Sequence, residues 1–468
     1  SLNSSNKMLS NVVTEVILQK DSLVWLGTGL GVSVIRDSLT VETFPSSDKL
    51  TVGNKSTLLR KGGISAMAVS GQGSYMLIAV AGSENDIPVG KGGSLTMRAT
   101  ADDSIDWTYY DQPIDLKDAL PSDTKYVHYP TFAGAYMAAL PITVPQANVT
   151  YDIAFSDEFV WIASWAGGLR RYKPSDTSWE RVPLPLDDKF ELTTCVDPTI
   201  YPDSSWQWVQ TKWVLRDYYL NPRDPIDGGN HNHKAFSVLT YGDTIWVGTA
   251  NGINRGIIDI IAGANCINWE HYSYPTHGLS GNFVVGLAMQ MLNDKRIIWA
   301  ATVNADDPTE QRGVSYTTND GLSWNTALLG ERVYNITAHD SLVFAATANG
   351  LWKTEDGINW ARYKPARQAI PVPNTAIYST DEVLANEVYS VAFDNRPYYG
   401  DNSIWIGTGD GAAHSYDLDG LNWKIFRAEY DKDEDYAYPN PFSPYTHNVI
   451  GGDGYVRFHT NEWSGTFV

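Results

Sequence analysis

A short apolar stretch occurs seven times along the chain and constrains its fold more than any other feature. The first copy, LVWLGTGLG, spans residues 23–31. Each copy has an aromatic or large aliphatic residue between branched apolar residues, followed by small residues or threonine and usually by a glycine turn. The other copies are YMLIAVAG at 75–82, VWIASWAGG at 160–168, IWVGTANG at 245–252, IWAAT at 298–302, LVFAATANG at 342–350 and IWIGTGDG at 404–411. Such self-similarity is the signature of a repeat protein.

Each copy lies inside a longer unit with the pattern of four short strands. In the first unit these are Val12–Leu18, Leu23–Thr28, Gly31–Ile35 and Val41–Phe44. A sheet of this size cannot bury both faces alone, so it must stack on its neighbours. We therefore predict an all-β fold, a seven-bladed β-propeller of four-stranded antiparallel blades, over residues 1–430. The predicted blades, here called repeats 1 to 7, span 11–45, 63–110, 148–182, 234–272, 282–328, 332–363 and 387–427.

A solenoid stacks the same kind of unit, but the series of repeats has no polar capping repeat at either end, which favours a ring. The composition agrees with a turn-rich all-β protein, because 17 Trp and 27 Tyr supply a core while 39 Gly and 23 Pro supply turns. The net charge of -20 would repel nucleic acid phosphates and an anionic membrane surface, so neither is expected as a partner.

No apolar run is long enough to span a bilayer, and the N-terminus lacks the pattern of a secretory signal. We expect that any such signal has been removed or was never present. The only two cysteines, Cys195 and Cys266, do not form a CxxC motif, so neither structural zinc nor c-type haem is expected. Whether these two cysteines are bonded is left open by the sequence.

Tryptophan recurs at two places in the repeats. In the second strand it occurs as Trp25, Trp161, Trp246, Trp299 and Trp405, and at the start of the last strand as Trp107, Trp179, Trp269, Trp324, Trp360 and Trp423. The first set has a constant place in the repeat, which predicts a structural role in the core between blades. In the last three members of the second set, an Asp-Gly pair precedes the tryptophan, and we expect it to form a tight turn that the indole pins against the sheet.

These turns resemble the Asp-box, or BNR-like, repeats of sialidase-like propellers in a degenerate form. The wider units, with VWLGTGLGVSVI and IWVGTANGINR, resemble the propeller repeats of two-component regulators. The resemblance covers about residues 11–427 and implies the propeller fold. It leaves the activity open, because such repeats serve enzymes, sensors and binding proteins alike.

The segment after the last repeat resembles a different module. Residues 431–437 form an acidic linker, and YPNPFSP at 438–444 and GYVRF at 454–458 follow it. The last two motifs resemble the opening of the immunoglobulin-like module related to the flagellar hook-capping protein, which occurs in secreted bacterial proteins including type IX secretion cargoes. The resemblance implies that 438–468 begin such a module, and we expect the natural chain to continue.

Long connections fall mainly on one face of the predicted propeller. Loops between second and third strands open on the same face as the connections between blades. The long ones there are 83–91, 111–147, 183–233, 304–311 and 366–386, whereas only 395–402 is long on the opposite face. Function collects on long loops held by a rigid scaffold, so the first face is the predicted working face.

Two of these insertions are rich in aromatic residues. The predicted ligand-binding residues are Trp206, Trp208, Trp213, Tyr218 and Tyr219 in 183–233, with Tyr126 and Tyr129 in 111–147. Rigid amphipathic rings suit a platform for sugars or a contact for another protein. The same rings would also serve as a small core that keeps a long loop ordered, and the Trp206-x-Trp208 alternation suits a strand on a blade edge.

Catalytic and metal-binding signatures are weak. The sialidase resemblance implies an Arg-Ile-Pro signature, which the sequence lacks. Acidic residues that a hydrolase would pair on the long-loop face are Asp217, Asp224, Asp227, Asp306 and Asp307. On a strand, His231 and His233 would present two imidazoles to one side, but no third ligand is evident. The acidic run 431–435 lacks the spacing of a calcium loop. We therefore assign no catalytic residue, metal site or cofactor.

The function that these patterns favour is noncatalytic binding. We predict a secreted or cell-surface bacterial protein that acts as an adhesion or assembly scaffold and binds a protein or glycan through its long-loop face. Two other classes stay open. One is a carbohydrate-active enzyme, either a glycoside hydrolase or a polysaccharide lyase, and the other is the periplasmic sensor domain of a two-component regulator. The sequence determines neither the ligand nor the oligomeric state.

Overall fold

Short strands make up most of the residues that the structure describes. The computed structural model describes residues 5–19, 23–36, 40–46, 59–71, 73, 75–84, 87–98, 105–110, 116–117, 129–130, 136–137, 141–142, 148–165, 167–173, 175, 178–194, 205–209, 212–217, 230–259, 266–363, 366–371, 375, 378–383, 385–394, 403–417, 420, 422–428, 436–438 and 457–459. Within 83–142 and 205–217 the description covers the backbone alone. Strands and short 3-10 turns are the regular elements of these residues, as the all-β prediction requires.

The chain divides into two compact units, each built from four-stranded antiparallel blades that keep the number of their repeat. The terminal unit comprises Ser1–Phe44 and Leu342–Val468, and the central unit comprises Pro45–Ser341. The terminal unit holds blade 1 (Val13–Gln19, Leu23–Thr28, Gly31–Ile35, Val41–Pro45) and blade 7 (Val388–Asp394, Ser403–Thr408, Gly411–Ser415, Trp423–Ala428). The central unit holds blade 2 (Gly62–Val69, Tyr75–Glu84, Ile87–Arg98, Ile105–Tyr110), blade 3 (Thr150–Phe155, Val160–Ser164, Gly168–Lys173, Ser178–Val182), blade 4 (Ala235–Tyr241, Thr244–Thr249, Gly252–Ile258, Ile267–Tyr272) and blade 5 (Phe283–Leu292, Lys295–Val303, Gly313–Thr317, Asn325–Ala327).

The first strands of successive blades contact one another, which identifies them as the inner strands of a propeller. In the central unit these contacts run from blade 2 through blade 5 to Val333–His339. In the terminal unit the first strand of blade 1 contacts the first strand of blade 7. The first and last repeats of the series therefore pack together within the terminal unit. The chain is an all-β propeller, as predicted.

The prediction of seven equivalent blades is wrong, because only six blades are complete within a unit. The sixth repeat is divided. Its first strand, Val333–His339, belongs to the central unit, and its strands Leu342–Thr347, Gly350–Thr354 and Ala361–Arg362 belong to the terminal unit. In a stacked array each repeat contacts only its neighbours. The strands of one repeat can therefore belong to two compact units.

Two blades carry a fifth strand that the four-strand pattern does not predict. Ser5–Met8 pairs in parallel with the last strand of blade 7, and Glu191–Thr193 pairs antiparallel with the last strand of blade 4. Each extra strand covers an outer edge whose backbone groups would otherwise be unpaired. The predicted loop at 83–91 is mostly strand as well, because the second and third strands of blade 2 extend to Glu84 and from Ile87.

The insertions contain short paired strands. These are Leu116–Lys117 with Pro141–Ile142, Tyr129–Pro130 with Tyr136–Met137, Ser205–Val209 with Lys212–Asp217, and Arg367–Pro371 with Tyr378–Glu382. Beyond blade 7, Tyr436–Tyr438 pairs antiparallel with Arg457–His459. Among the described residues this pair does not form the predicted start of an immunoglobulin-like module, because a sandwich requires two sheets packed face to face. Its first strand also lies partly within the predicted linker.

The threonine and glycine that end the repeated stretch form one hydrogen-bonded turn. The threonine hydroxyl donates to the carbonyl of the glycine three residues later and accepts the N–H of the residue before that glycine. The pairs are Thr28 and Gly31, Thr249 and Gly252, Thr347 and Gly350, and Thr408 and Gly411. Glycine is required, because a Cβ at Gly252 or Gly411 would lie 2.1 or 2.3 Å from a carbonyl oxygen of the last strand, at a φ of 104° or 100°.

The tryptophans of the second strands are buried between blades. Trp25, Trp161, Trp246, Trp299 and Trp405 are at most 2% exposed. Trp161 of blade 3, for example, shares a core cluster with Val238 and Val247 of blade 4. In four blades the indole N–H donates to a side chain near the end of the inner strand, and the acceptors are Gln19, Ser156, Gln290 and Asp394. The buried indole therefore keeps a hydrogen-bond partner in these blades.

The turns before three last strands are held by a carboxylate or an amide. The acceptors and the N–H groups that they bind are Asp356 with Ile358 and Asn359, Asn319 with Ser323, and Asp417 with Asn422. Trp360 and Trp423 donate their indole N–H to the glycine carbonyl of the same turn. Of these three acceptors, only Asp356 is the aspartate that directly precedes the glycine, which is the acceptor that the sequence predicts. In blade 5 the equivalent Asp320 instead accepts from the Arg296 guanidinium.

Candidate functional site

Every complete blade has a β-bulge near the start of its inner strand. In blade 1 the pairing with the second strand shifts between Val13 and Glu15, and the other blades shift at the equivalent place. The bulged residues are Thr14, Ser65, Tyr151, Phe236, Val285 and Tyr389. Bulges re-aim a side chain and collect next to functional sites. We therefore expect a functional site at the starting end of the inner strands, here called the mouth.

The mouth lies on the side that carries the predicted working loops. In the central unit the N–H of Gly252, in the turn after a second strand, donates to the carbonyl of Asn282 in the connection between blades 4 and 5. In the terminal unit Gly411 N–H donates to the carbonyl of Asn11, just before blade 1. Within each unit both kinds of loop thus open on one side.

Three aromatic side chains form a continuous arc at the mouth of the central unit. Tyr151, Phe236 and Phe283, here called the mouth arc, come from blades 3, 4 and 5. The ring centroids of Tyr151 and Phe236 are 5.1 Å apart, and those of Phe236 and Phe283 are 4.3 Å apart. These distances are typical of favourable aromatic pairs. Tyr151 is 40% exposed, so the arc presents part of an aromatic side chain to the solvent.

Charged groups flank the mouth arc beside blade 4. Lys234 directly precedes the inner strand, and His231 Nδ1 lies 3.5 Å from Asp306 Oδ2. Burial lowers the pKa of the Lys234 ammonium, whereas the Asp187 and Asp306 carboxylates favour its charged form. Hydrogen-bond donors and acceptors thus lie next to an aromatic surface. A polyhydroxylated ligand needs both kinds of contact.

Asp152 follows Tyr151 and ties blade 3 to blade 4. Its carboxylate accepts the N–H of Val238, in the inner strand of blade 4, and the N–H of Ile153, each at 2.8 Å. Burial raises the pKa of Asp152 to about 7, and the two N–H donors act against that shift. Both carboxylate oxygens already accept a backbone N–H, so this group holds the seam between two blades beneath the mouth arc.

The segment His231–His233 is a 3-10 turn and not a strand. Its two imidazoles therefore do not share a strand face, since His233 is 2% exposed and His231 lies beside Asp306. Asp187 fixes the turn, because its carboxylate accepts the N–H groups of His231 and Asn232. Among the residues that the structure describes, no group of three or more His, Cys, Asp or Glu side chains is placed to hold a metal ion.

A buried amide network anchors this turn. The Asn232 amide donates to Asn254 Oδ1, and its oxygen accepts an N–H of the Asn254 amide. His271 Nδ1 lies 3.1 Å from the same Asn254 oxygen, and burial lowers the pKa of His271 to about 4. The ring is thus neutral at pH 7 and donates from Nδ1. Isolated polar residues within strands have no periodic signal, so the sequence did not predict this network.

A buried glutamate organises the connection at 304–311. Glu310 is 7% exposed and accepts the N–H groups of Asn282 and Ala305 at 3.0 and 2.6 Å. Asp307 accepts the hydroxyl and the N–H of Thr309, and these bonds lower the pKa of Asp307. Of the two acidic candidates in this loop, Asp306 is therefore the one that lies beside His231 at the mouth.

Both aromatic insertions reach the outer edge of blade 3. The strands Tyr129–Pro130 and Tyr136–Met137 of the first insertion contact Ser178–Val182, the last strand of that blade. The strand Lys212–Asp217 of the second insertion contacts the same strand. The structure therefore brings backbone segments of the two predicted aromatic regions to one blade edge, away from the inner strands.

The tryptophan positions of the second insertion fall on one face of a hairpin. Trp208 lies opposite Trp213, and Trp206 lies opposite Leu215. Alternate positions of a strand share a face, so positions 206, 208 and 213 lie together. The predicted ligand-binding role of these three residues stays a prediction.

Several sequence candidates lie outside the described residues. These are Tyr126, Tyr218, Tyr219, Asp224 and Asp227, together with the stretches 395–402 and 431–435. Tyr129 occupies a strand position opposite Met137, and Asp217 ends a strand opposite Ser205. The mouth arc, by contrast, was missed by sequence reasoning. Its signal was an aromatic residue at or next to the first buried position of an inner strand.

Cys266 is disulfide-bonded and 2% exposed, and it directly precedes the last strand of blade 4. Cys195, the only other cysteine of the chain, lies outside the described residues. Stable disulfides are typical of oxidising compartments. None of the helices in the described part of the chain is long and apolar enough to cross a membrane.

The fold and the mouth define the class of protein, a propeller of four-stranded blades with aromatic side chains at the start of its inner strands. No family model and no curated protein match the chain. It is similar to the extracellular domain of a protein from B. thetaiotaomicron described as a one-component system, with 14% identity and a TM-score of 0.47 over 87% of this chain and 39% of the other.

Two further solved structures are similar to the chain. One is an ancestral GH74 enzyme, with 9% identity and a TM-score of 0.48 over 90% of this chain and 49% of the other. The second is the β-propeller domain of Cps50 (Swd1) from Myceliophteria thermophila, with 14% identity and a TM-score of 0.45 over 86% and 95%. The chain spans about two fifths of the length of the B. thetaiotaomicron domain. None of these similarities assigns an activity.

Proposed function

We propose that this propeller is a noncatalytic binding protein whose mouth arc recognises a neutral glycan. The observation that carries the proposal is the run of ring contacts through Tyr151, Phe236 and Phe283. Sugar rings stack on aromatic faces through their C–H groups while their hydroxyls bind polar neighbours, and the hydroxyl of Tyr151 offers a polar tip on an apolar body. The arc and its polar rim supply both kinds of contact.

The charges of the chain favour a neutral ligand over an anionic one. The net charge of -20 opposes the approach of sulfated or phosphorylated chains. Among the described residues of the mouth, the Lys234 ammonium is balanced by the Asp187 and Asp306 carboxylates, so Lys234 does not offset that field. The mixture of donors and acceptors there suits hydroxyl groups, which act as both.

We further propose that the protein is exported and works at the cell surface or outside the cell. The bonded state of Cys266 supports this, because disulfides are rare in the reducing cytoplasm.

The tryptophan positions 206, 208 and 213, at the hairpin beside blade 3, are proposed as a separate contact for a protein partner. Loss of that partner with Trp206→Ala and Trp208→Ala, but with glycan binding unchanged, would support two separate surfaces.

The test of the glycan proposal compares two exposed tyrosines. Tyr151, in the mouth arc, is 40% exposed, and Tyr241, at the opposite end of the blade 4 inner strand, is 44% exposed. A glycan array identifies a neutral ligand, and calorimetry then measures its affinity. We expect Tyr151→Ala to weaken binding by roughly tenfold and Tyr241→Ala to leave it unchanged, because only the first removes a stacking ring.

Two results would contradict the proposal. Equal affinities of the two variants would exclude the mouth arc as the binding surface. Release of shorter sugars from the bound glycan by the unmodified protein would show an enzyme and would exclude the noncatalytic function.

A further inference from the structure

A cavity lies in the terminal unit, on its mouth side. It lies between the third and fourth strands of the sixth repeat and the first two strands of blade 7, and its volume is about 40 Å³. The residues that line it include Leu351, Tyr363, Val388, Ile406 and Trp423, so most of its wall is apolar. A space of this size holds a few atoms beyond a water molecule. It suits a small ligand or one small substituent.

Arg362 supplies a cation at the cavity. Its guanidinium lies against the turn at Gly350, where a Cβ would stand 3.0 Å from Nε and 3.3 Å from Nη2. Four other arginines bind carboxylates, and these pairs are Arg36 with Glu42, Arg255 with Glu270, Arg296 with Asp320 and Arg427 with Asp410. Among the described residues Arg362 has no such partner. A planar guanidinium of this kind is suited to bind a carboxylate with two parallel hydrogen bonds.

Asn386 adds a hydrogen-bond acceptor to the same wall. Its Oδ1 is buried and, among the described groups, has no hydrogen-bond partner. Buried polar atoms are nearly always paired, so an isolated one next to a cavity indicates that a donor binds there. The donor and the carboxylate would belong to one molecule, because Arg362 and Asn386 line the same small space.

We propose that this cavity binds a small carboxylate that carries a hydroxyl or amino group on the adjacent carbon, of the size of glycolate, lactate, glycine or alanine. Arg362 binds the carboxylate, and the ligand O–H or N–H donates to Asn386 Oδ1. The apolar wall of Leu351, Val388 and Ile406 accepts at most a methyl group. This site lies in the terminal unit, and its ligand class differs from that of the mouth arc.

The unmodified protein provides the first experiment, measured by ligand-observed NMR or calorimetry on the whole chain. We expect lactate to bind with a Kd on the order of 1 mM, a plausible affinity for so few atoms. Propionate, which lacks the donor, should bind roughly fivefold more weakly, and lactamide, which lacks the carboxylate, should not bind. Comparison of lactate with alanine distinguishes a hydroxy acid from an amino acid.

Two variants locate the site. Arg362 is exposed, so Arg362→Gln should fold normally and should weaken lactate binding more than tenfold. The matched control is Arg332→Gln, an exposed arginine of the central unit, which should bind lactate as before. Asn386→Leu should remove the preference for lactate over propionate while propionate affinity stays the same. Absence of binding by both lactate and alanine, or equal binding by the two arginine variants, would overturn the proposal.

Discussion

Burial and hydrogen bonding act in opposite directions on the pKa of the Asp152 carboxylate. Burial disfavours its charged form and raises its pKa from 3.8 to about 7, while the N–H groups of Val238 and Ile153 favour that form. Asp152→Asn removes the charge and keeps the size of the side chain. It also leaves one oxygen that can accept a backbone N–H. We predict that this variant gains stability over the unmodified protein as the pH rises.

The size of the gain follows from the pKa shift. A folded pKa above the unfolded value makes the protonated folded state the favoured one. The stability due to this group is therefore fully present below pH 3.8 and is lost as the pH rises to about 7. The shift corresponds to about 4 kcal/mol at most, and we discount it to about 2 kcal/mol because Asp152 is only partly buried. The variant should match the unmodified protein at pH 4 and exceed it by about 2 kcal/mol at pH 8.

Urea unfolding followed by tryptophan fluorescence at several pH values between 4 and 8 measures this difference. Asp157→Asn is the matched control, because Asp157 belongs to the same blade and its side chain is exposed. Its stability difference from the unmodified protein should vary little with pH. If Asp152→Asn is instead less stable at pH 8, by an amount that does not depend on pH, the two N–H donors outweigh burial and the reasoning is refuted.

Three further predictions concern stability, each measured by the urea midpoint. Gly252→Ala should cost on the order of 3 kcal/mol, because its Cβ would meet a carbonyl at 2.1 Å with φ at 104°, whereas Gly29→Ala, with nothing within 4 Å, should cost little. Trp405→Phe should cost about 2 kcal/mol more than Trp246→Phe, because only the first indole N–H donates to a buried carboxylate, and equal costs would contradict this. Cys266→Ser should cost roughly 4 kcal/mol through loss of the disulfide, and an unchanged midpoint would be the opposing result.

The sequence by itself determined the all-β class, the repeat and the places of the four strands in the first repeat. Leu23–Thr28 and Gly31–Ile35, for example, were predicted as they stand. The reason is that a blade is a local structure, in which alternating polarity and glycine turns lie within one short segment. The buried tryptophans of the second strands were placed in the core for the same reason. The number of complete blades was wrong, because a repeat pattern does not show where a compact unit begins or ends.

The tertiary structure alone brings together the residues that form the mouth arc. Tyr151, Phe236 and Phe283 are far apart in sequence, and only the packing of three inner strands brings their rings together. The same holds for Asp152, whose acceptor role depends on the N–H of Val238 in the next blade. The sequence predicted ligand binding at the tryptophan-rich insertion, because its unusual local composition can be recognised from the sequence alone. Contacts between blades have no local pattern, so the candidate site became evident only when the blades were in place.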